Sequence, residues 1–137
     1  MAATKIIVDT GPLVGFLDES DQWHGWAREQ FGVLPGPMLT CESVLSEAAY
    51  LLGSGGALDA LLEMVELGAL EVAGLWPGEA ARVRALMARY AGRMSLADAC
   101  LVRLAEQHAG YHVFTTDRKD FSVYRRHRTE RIPLIAP

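Results

Sequence analysis

The feature that most restricts the fold of this chain is a short, unbroken apolar run at residues 6–8, which ends directly in Asp9. Three successive apolar residues leave no polar face, so a strand built from them must be covered on both sides. Strands of this kind occur in parallel sheets with helices packed against both faces. The run therefore predicts an α/β fold in which this strand is central.

The rest of the chain alternates between strand-like and helix-like patterns, with no tight hairpin signal between strands. We predict strands at residues 5–9, 38–41, 69–73, 111–115 and 132–135, and helices at 10–18, 20–31, 42–52, 57–67, 77–90 and 95–108. The glycine-rich residues 53–56 should close a helical hairpin. This order predicts a single domain, residues 1–137, with a mostly parallel sheet of about five strands flanked by helices.

The composition allows a real core, because half of the 137 residues are apolar and only 22% are charged. No apolar stretch approaches the roughly 20 residues needed to cross a bilayer, and the first residues lack a signal-peptide pattern. We therefore expect a soluble, cytoplasmic protein. Cys41 and Cys100 should be reduced, buried thiols. We expect Trp23, Trp26 and Trp76 to be core or interface residues and not base-stacking platforms.

The charges are unevenly distributed along the chain. The net charge is −4, yet residues 118–137 contain six basic and two acidic side chains, against seven basic and fifteen acidic in residues 1–117. A basic C-terminal segment could hold phosphates while an acidic site holds a metal ion. A solvated surface run explains the same pattern equally well.

Two predicted strands end in an aspartate beside a threonine. Asp9 follows the first strand, and Thr10 can cap the next helix, which would leave Asp9 available for chemistry. Asp117 follows residues 113–116 in the same way, although it could also begin a helix. Because parallel strands end at one edge of a sheet, the two carboxylates predict a shared site there.

Two further acids lie on predicted helices. Glu47 borders the apolar face of its helix and should not face water, whereas Glu42 lies roughly 140° away around the helix and should hardly reach the same site. Asp98 fits a capping box with Ser95 but also lies on the apolar side of its helix. We expect Glu47 and Asp98 to join the two strand-end aspartates.

Four carboxylates in one place repel one another, by roughly 4 kcal/mol for a pair about 4 Å apart at an effective dielectric of 20. Such a group either becomes partly protonated or binds a cation. Carboxylate oxygens without cysteine or paired histidine suit hard ions such as Mg²⁺ or Mn²⁺. Ions of this kind activate water and neutralise the leaving oxygen in phosphodiester hydrolysis.

Four segments of the chain resemble, in the same order, the acidic motifs of PIN domains: IIVDTGPLV (6–14), VLSEAAYLL (44–52), MSLADACLV (94–102) and VFTTDRKDF (113–121). The resemblance covers nearly the whole chain. It implies the PIN fold and Mg²⁺- or Mn²⁺-dependent hydrolysis of RNA. The implied metal ligands are Asp9, Asp98 and Asp117, and the implied catalytic acids are these three and Glu47.

The resemblance also implies that Thr10, Thr116 and Arg118 contact water or phosphate, with Asp120 as a reserve acid. The length resembles that of a VapC toxin from a VapBC toxin–antitoxin pair, which implies a homodimer and an antitoxin lying across the active-site groove. His24 matches a common family position, but we expect it to be structural.

Two other functions remain open. A magnesium-dependent phosphatase or phosphotransfer domain would use Asp9 as a nucleophile, but Gly11 stands where a second aspartate is usual, and Lys119 is the only lysine late in the chain. A non-catalytic PIN-fold interaction module is the second alternative. Loss of one of the four acids would mark such a module, and none is lost.

Overall fold

The computed structural model describes residues 4–137. The elements along the chain are β1 (Lys5–Val8), α1 (Thr10–Leu17), α2 (His24–Val33), β2 (Met38–Cys41), α3 (Glu42–Leu52), α4 (Gly56–Glu66), β3 (Leu70–Ala73), α5 (Ala80–Arg89), α6 (Leu96–Gln107), β4 (Tyr111–Phe114), α7 (Arg118–Phe121), β5 (Arg125–Arg126), β6 (Glu130–Arg131) and β7 (Leu134–Ile135). The α3–α4 pair is the helical hairpin that the glycine-rich segment predicts.

The main sheet has five strands in the order β3-β2-β1-β4-β7, and every neighbouring pair is parallel. The predicted α/β fold with a parallel sheet of five strands is therefore confirmed. Strand β1 is central, and Ile6, Ile7 and Val8 are completely buried, as their continuous apolar run requires. The chain passes from β1 outwards to β2 and β3 and then returns to β4 on the other side of β1. This reversal opens a crevice beyond the carboxyl ends of β1 and β4.

Three predicted elements begin two or more residues too early. Helix α2 begins at His24 instead of at residue 20, because the side chains of Asp18 and Asp21 accept hydrogen bonds from backbone amides two residues further on and hold turns there. Helix α5 begins at Ala80, after a turn that includes Pro77. The last strand of the sheet is only Leu134–Ile135.

A small antiparallel hairpin, β5–β6, was not predicted. Its two strands pair Arg125 with Arg131 and Arg126 with Glu130. The connecting residues His127 and Arg128 adopt positive φ angles of 49° and 71°, a conformation that glycine usually provides. The sequence has no glycine here, so it gave no turn signal.

The cysteines and tryptophans mostly lie where the sequence predicts. Cys41 and Cys100 are free and buried, and Trp26 packs against the core ring of Phe114 with ring centroids 5.4 Å apart. Trp76 is not a core residue, because 47% of it is exposed. Within residues 4–137, no helix is both long enough and apolar enough to span a bilayer.

Candidate active site

Asp9 lies at the carboxyl end of β1, facing the crevice between β1 and β4. It is 8% exposed, and its Oδ1 atom accepts a hydrogen bond of 2.7 Å from the Thr10 amide. Asp9 itself caps helix α1, because its backbone is extended and Thr10 is already helical. The expectation that Thr10 would cap this helix is therefore wrong. The Thr10 hydroxyl is buried and has no hydrogen-bond partner among residues 4–137.

Thr115 joins the two strand-end aspartates, a role that we did not predict. Its hydroxyl donates to Asp9 Oδ2 at 2.6 Å and accepts from the Asp117 amide at 2.9 Å. Asp117 then caps the short helix α7, where its Oδ1 accepts from the Asp120 amide at 3.0 Å. The sequence did offer one signal for this role: Thr115 directly follows the buried end of β4 and directly precedes Thr116.

Thr116 lies against Gly11 in the first turn of α1. A Cβ atom placed on Gly11 would overlap the Thr116 hydroxyl. Glycine at this position therefore allows α1 and the end of β4 to approach closely. The approach places Thr116 at the same edge of the sheet as Asp9.

Asp98 approaches the site from the start of α6. It forms the predicted capping box with Ser95, and its Oδ2 also accepts a hydrogen bond of 2.8 Å from the hydroxyl of Tyr124. Tyr124 is completely buried, and burial together with the neighbouring Asp98 raises its pKa, so it remains a donor. Sequence reasoning missed Tyr124, because the tyrosine follows the fourth motif by several residues and its contact is purely tertiary.

Glu47 is exposed on α3, so the expectation that it would border the buried face is wrong. Glu42 and Glu47 both line one surface groove, but only Glu47 is among the acids whose charges raise the pKa of Asp9. Although it is exposed, Glu47 is therefore close enough to Asp9 for its charge to contribute to the raised pKa of Asp9.

The carboxylates influence one another electrostatically. Burial raises the pKa of Asp9 to about 7; the hydrogen bonds from Thr115 and Thr10 oppose this shift, whereas the charges of Asp98 and Glu47 add to it. The pKa of Asp117 is also raised, chiefly by burial, with contributions from Asp120 and Asp98. The charges of Asp98 and Glu47 thus act on Asp9, and the charge of Asp98 also acts on Asp117.

The chemistry of this group suits a hard divalent cation, because every donor is a carboxylate oxygen. Within residues 4–137, however, no three Asp, Glu, His or Cys side chains already converge on a point that could hold an ion. Asp9, Asp98 and Asp117 each use an oxygen in one of the hydrogen bonds described above. An ion held by all three carboxylates would therefore need these side chains to come closer together.

The basic residues near the site are partly engaged elsewhere. Arg93 forms an ion pair with Asp120 at 3.1 Å. Arg118 donates to the carbonyl oxygens of Ala136 and Pro137, at 2.8 and 3.2 Å. His24 has the expected structural contact, a hydrogen bond of 2.7 Å between its Nδ1 atom and the carbonyl oxygen of Gly15.

Comparison with known proteins agrees with this architecture. A family model of the PIN domain matches residues 6–126, and the chain belongs to this family. It is 28% identical over 124 residues to ribonuclease VapC26 of Mycobacterium tuberculosis, an alignment that covers 88% of this chain and 92% of the relative. The predicted resemblance to PIN-domain ribonucleases of the VapC type is confirmed.

Two solved structures share the fold. The crystal structure of VapC20 from M. tuberculosis, described as a toxin that cleaves the sarcin–ricin loop, matches with a TM-score of 0.76 and 20% identity, covering 91% of this chain and 100% of the other. The crystal structure of DNA-bound VapBC from Salmonella typhimurium matches with a TM-score of 0.63 and 22% identity, covering 97% and 98%. At these identities, the two likenesses show the fold.

Proposed function

We propose that this chain is a metal-dependent endoribonuclease that hydrolyses RNA phosphodiester bonds and acts as the toxin of a toxin–antitoxin pair. The observation that carries the proposal is the Thr115 hydroxyl, which links Asp9 to the Asp117 backbone in the crevice between β1 and β4. A buried carboxylate whose pKa is raised to about 7 is unfavourable for folding alone and typical of a functional site.

Asp9, Asp98 and Asp117 are the proposed metal ligands, with Mg²⁺ or Mn²⁺ as the ion. When bound, such an ion activates a water molecule and neutralises charge on the phosphate. The buried Tyr124 hydroxyl orients Asp98, and Thr115 orients Asp9, so both act as positioning residues. Glu47 is exposed at the edge of the site, where it can accept a proton from the attacking water.

Three residues are proposed to contact the substrate. Thr10 and Thr116 lie beside Asp9 and Asp117, and the Thr10 hydroxyl has no partner within residues 4–137. Arg118 is also proposed to contact a phosphate, but only after a rearrangement. Its guanidinium would first have to break its hydrogen bonds to the carbonyl oxygens of Ala136 and Pro137.

The proposed partners follow from the relatives. A ribonuclease and a VapBC assembly among the similar proteins support an RNA substrate and a cognate antitoxin for this chain. We further propose a homodimer of a single PIN domain that acts in the cytoplasm. A phosphatase mechanism is less well supported, because Gly11 stands where such enzymes usually have a second aspartate.

The test is cleavage of labelled single-stranded and hairpin RNAs by the purified chain, freed of any partner, in Mn²⁺, Mg²⁺ or EDTA. Asp9→Asn and Asp98→Asn remove charge with little change in size and should abolish cleavage. Glu29→Gln, which removes an exposed charge on α2, is the matched control and should cut normally. Absence of cleavage by the wild type, together with absence of Mn²⁺ binding by calorimetry, would refute the enzymatic proposal.

A further inference from the structure

A surface groove of about 650 Å³ begins at the proposed active site. Its lining comes from α3, from the start of α6 and from the segment after β3: Glu42, Ser43, Ser46, Glu47, Tyr50, Trp76, Ser95, Leu96 and Ala97. The groove borders the proposed site, because its lining includes Glu47 and also Ala97, the residue before Asp98. An RNA chain with its scissile phosphate at the carboxylates could therefore place a neighbouring nucleotide in this groove.

The groove exposes large apolar side chains to water. Tyr50 is 85% exposed, Trp76 is 47% exposed and Leu96 is 45% exposed. Trp76 also lines a second, smaller depression of about 120 Å³ near Gly74, so its surface is open on more than one side. Exposed aromatic groups beside an active site are suited to contact with a flat, partly apolar ligand.

The charges of the groove indicate which part of a nucleotide it accepts. Its lining contains Glu42 and Glu47 and no lysine or arginine, so it disfavours phosphate. A nucleobase is neutral, stacks on aromatic rings, and presents edges that hydroxyl groups can hydrogen-bond. Ser43, Ser46 and Ser95 supply such hydroxyls in the same groove.

We propose that the groove formed by Tyr50, Trp76 and Leu96 holds one unpaired nucleobase of the RNA substrate, next to the scissile phosphate, with Trp76 as the stacking surface. The proposal rests on the ribonuclease function and adds a specificity subsite to it. A base can enter only when it is unstacked and unpaired, so the groove selects single-stranded loops over duplex.

The experiment uses a single-stranded RNA that the wild-type protein cuts in Mn²⁺, with the cleavage position mapped. Abasic nucleotides are then introduced, one at a time, on each side of that position. For the wild type, removal of the base at one position should lower kcat/KM roughly tenfold, as expected for loss of one base–aromatic stack. Trp76→Leu should show the same loss with intact RNA and no further loss with that abasic RNA.

Two variants control for other causes. Trp76→Phe keeps an aromatic ring and should retain most of the activity, whereas Leu67→Ala alters an exposed apolar residue outside the groove and should have no effect. Equal abasic losses in the wild type and Trp76→Leu would overturn the proposal. So would a Trp76→Leu defect that sedimentation traces to a changed oligomeric state, since the groove would then be a protein interface.

A binding measurement separates this proposal from the ribonuclease proposal. In EDTA, the same RNA should quench the intrinsic fluorescence of the wild type and not that of Trp76→Leu, whether or not the RNA is cut. Quenching without cleavage in Mn²⁺ would refute the proposed function and leave the base site standing. Cleavage in Mn²⁺, together with equal quenching in the wild type and Trp76→Leu, would refute the base site and leave the ribonuclease function standing.

Discussion

Replacing Asp9 with asparagine should stabilise the metal-free protein at alkaline pH, although the same change should abolish activity. Asp9 is 8% exposed, and burial raises its pKa from 3.8 to about 7. Its ionised form is therefore better accommodated in the unfolded chain than in the folded protein. One pKa unit corresponds to about 1.4 kcal/mol, so ionisation of Asp9 removes on the order of 4 kcal/mol of folding free energy by pH 8.

The sign follows from the direction of the shift. A group whose folded-state pKa is raised contributes its full stability below the unfolded value of 3.8 and loses it as pH rises through about 7. Asparagine has no such titration. It does disturb the hydrogen bond from Thr115, at a cost of about 1–2 kcal/mol that does not change with pH. Between pH 5 and pH 8, the variant should therefore gain about 3 kcal/mol relative to the wild type.

The assay is urea unfolding in EDTA at pH 5, 6.5 and 8, followed by circular dichroism. At pH 8, the variant should be more stable by roughly 2 kcal/mol, or about 6 °C in Tm for a chain of this size. Glu29→Gln, which removes an exposed charge, should follow the wild-type pH profile. Parallel profiles for Asp9→Asn and the wild type would show that Asp9 is not held in an unfavourable ionised state. Addition of Mn²⁺ should then stabilise the wild type more than the variant.

Three other substitutions test the positioning network. Thr115→Val should destabilise the protein by about 1–3 kcal/mol in urea unfolding, because the Asp117 amide loses its acceptor. Thr115→Ser keeps the hydroxyl and should behave like the wild type. An unchanged unfolding midpoint for Thr115→Val would contradict the link that Thr115 forms between Asp9 and Asp117. Tyr124→Phe removes the donor to Asp98 and should weaken Mn²⁺ binding by about tenfold in calorimetry; an unchanged affinity would separate Tyr124 from the metal site. Gly11→Ala should cost about 1–3 kcal/mol through overlap with Thr116, and Thr116→Ala in the same chain should restore much of that loss.

The sheet was the most predictable part of the fold, because local patterns of apolar residues in the sequence indicate its strands. Residues 6–8 are apolar without interruption, and the structure places them at the centre of the sheet. Boundaries were less predictable where side chains compete with the helix for backbone amides, as Asp18 and Asp21 do before α2. The β5–β6 hairpin could not be predicted from the sequence, since the residues with positive φ angles in its turn are His127 and Arg128 and not glycines.

The acids of the candidate site were predictable by position, and their partners were not. Asp9 and Asp117 follow strands, which is a signal along the chain. Thr115 and Tyr124 act through contacts across 106 and 26 residues, respectively, and no local pattern encodes such contacts. Glu47 illustrates the same limit, because helical periodicity alone placed it at the buried border while the surrounding elements leave it exposed.

The order of strands in the sheet has a consequence for folding of the chain during its synthesis on the ribosome. Strand β1 emerges first, but its neighbour β4 begins only at Tyr111, and the Asp9–Thr115 bond joins residues 106 positions apart. A nascent chain that stops before β4 has Asp9 but neither Thr115 nor Asp117. A chain interrupted before β4 therefore lacks two residues of the candidate site. If the proposed function is correct, we expect such a fragment to be unable to cut RNA.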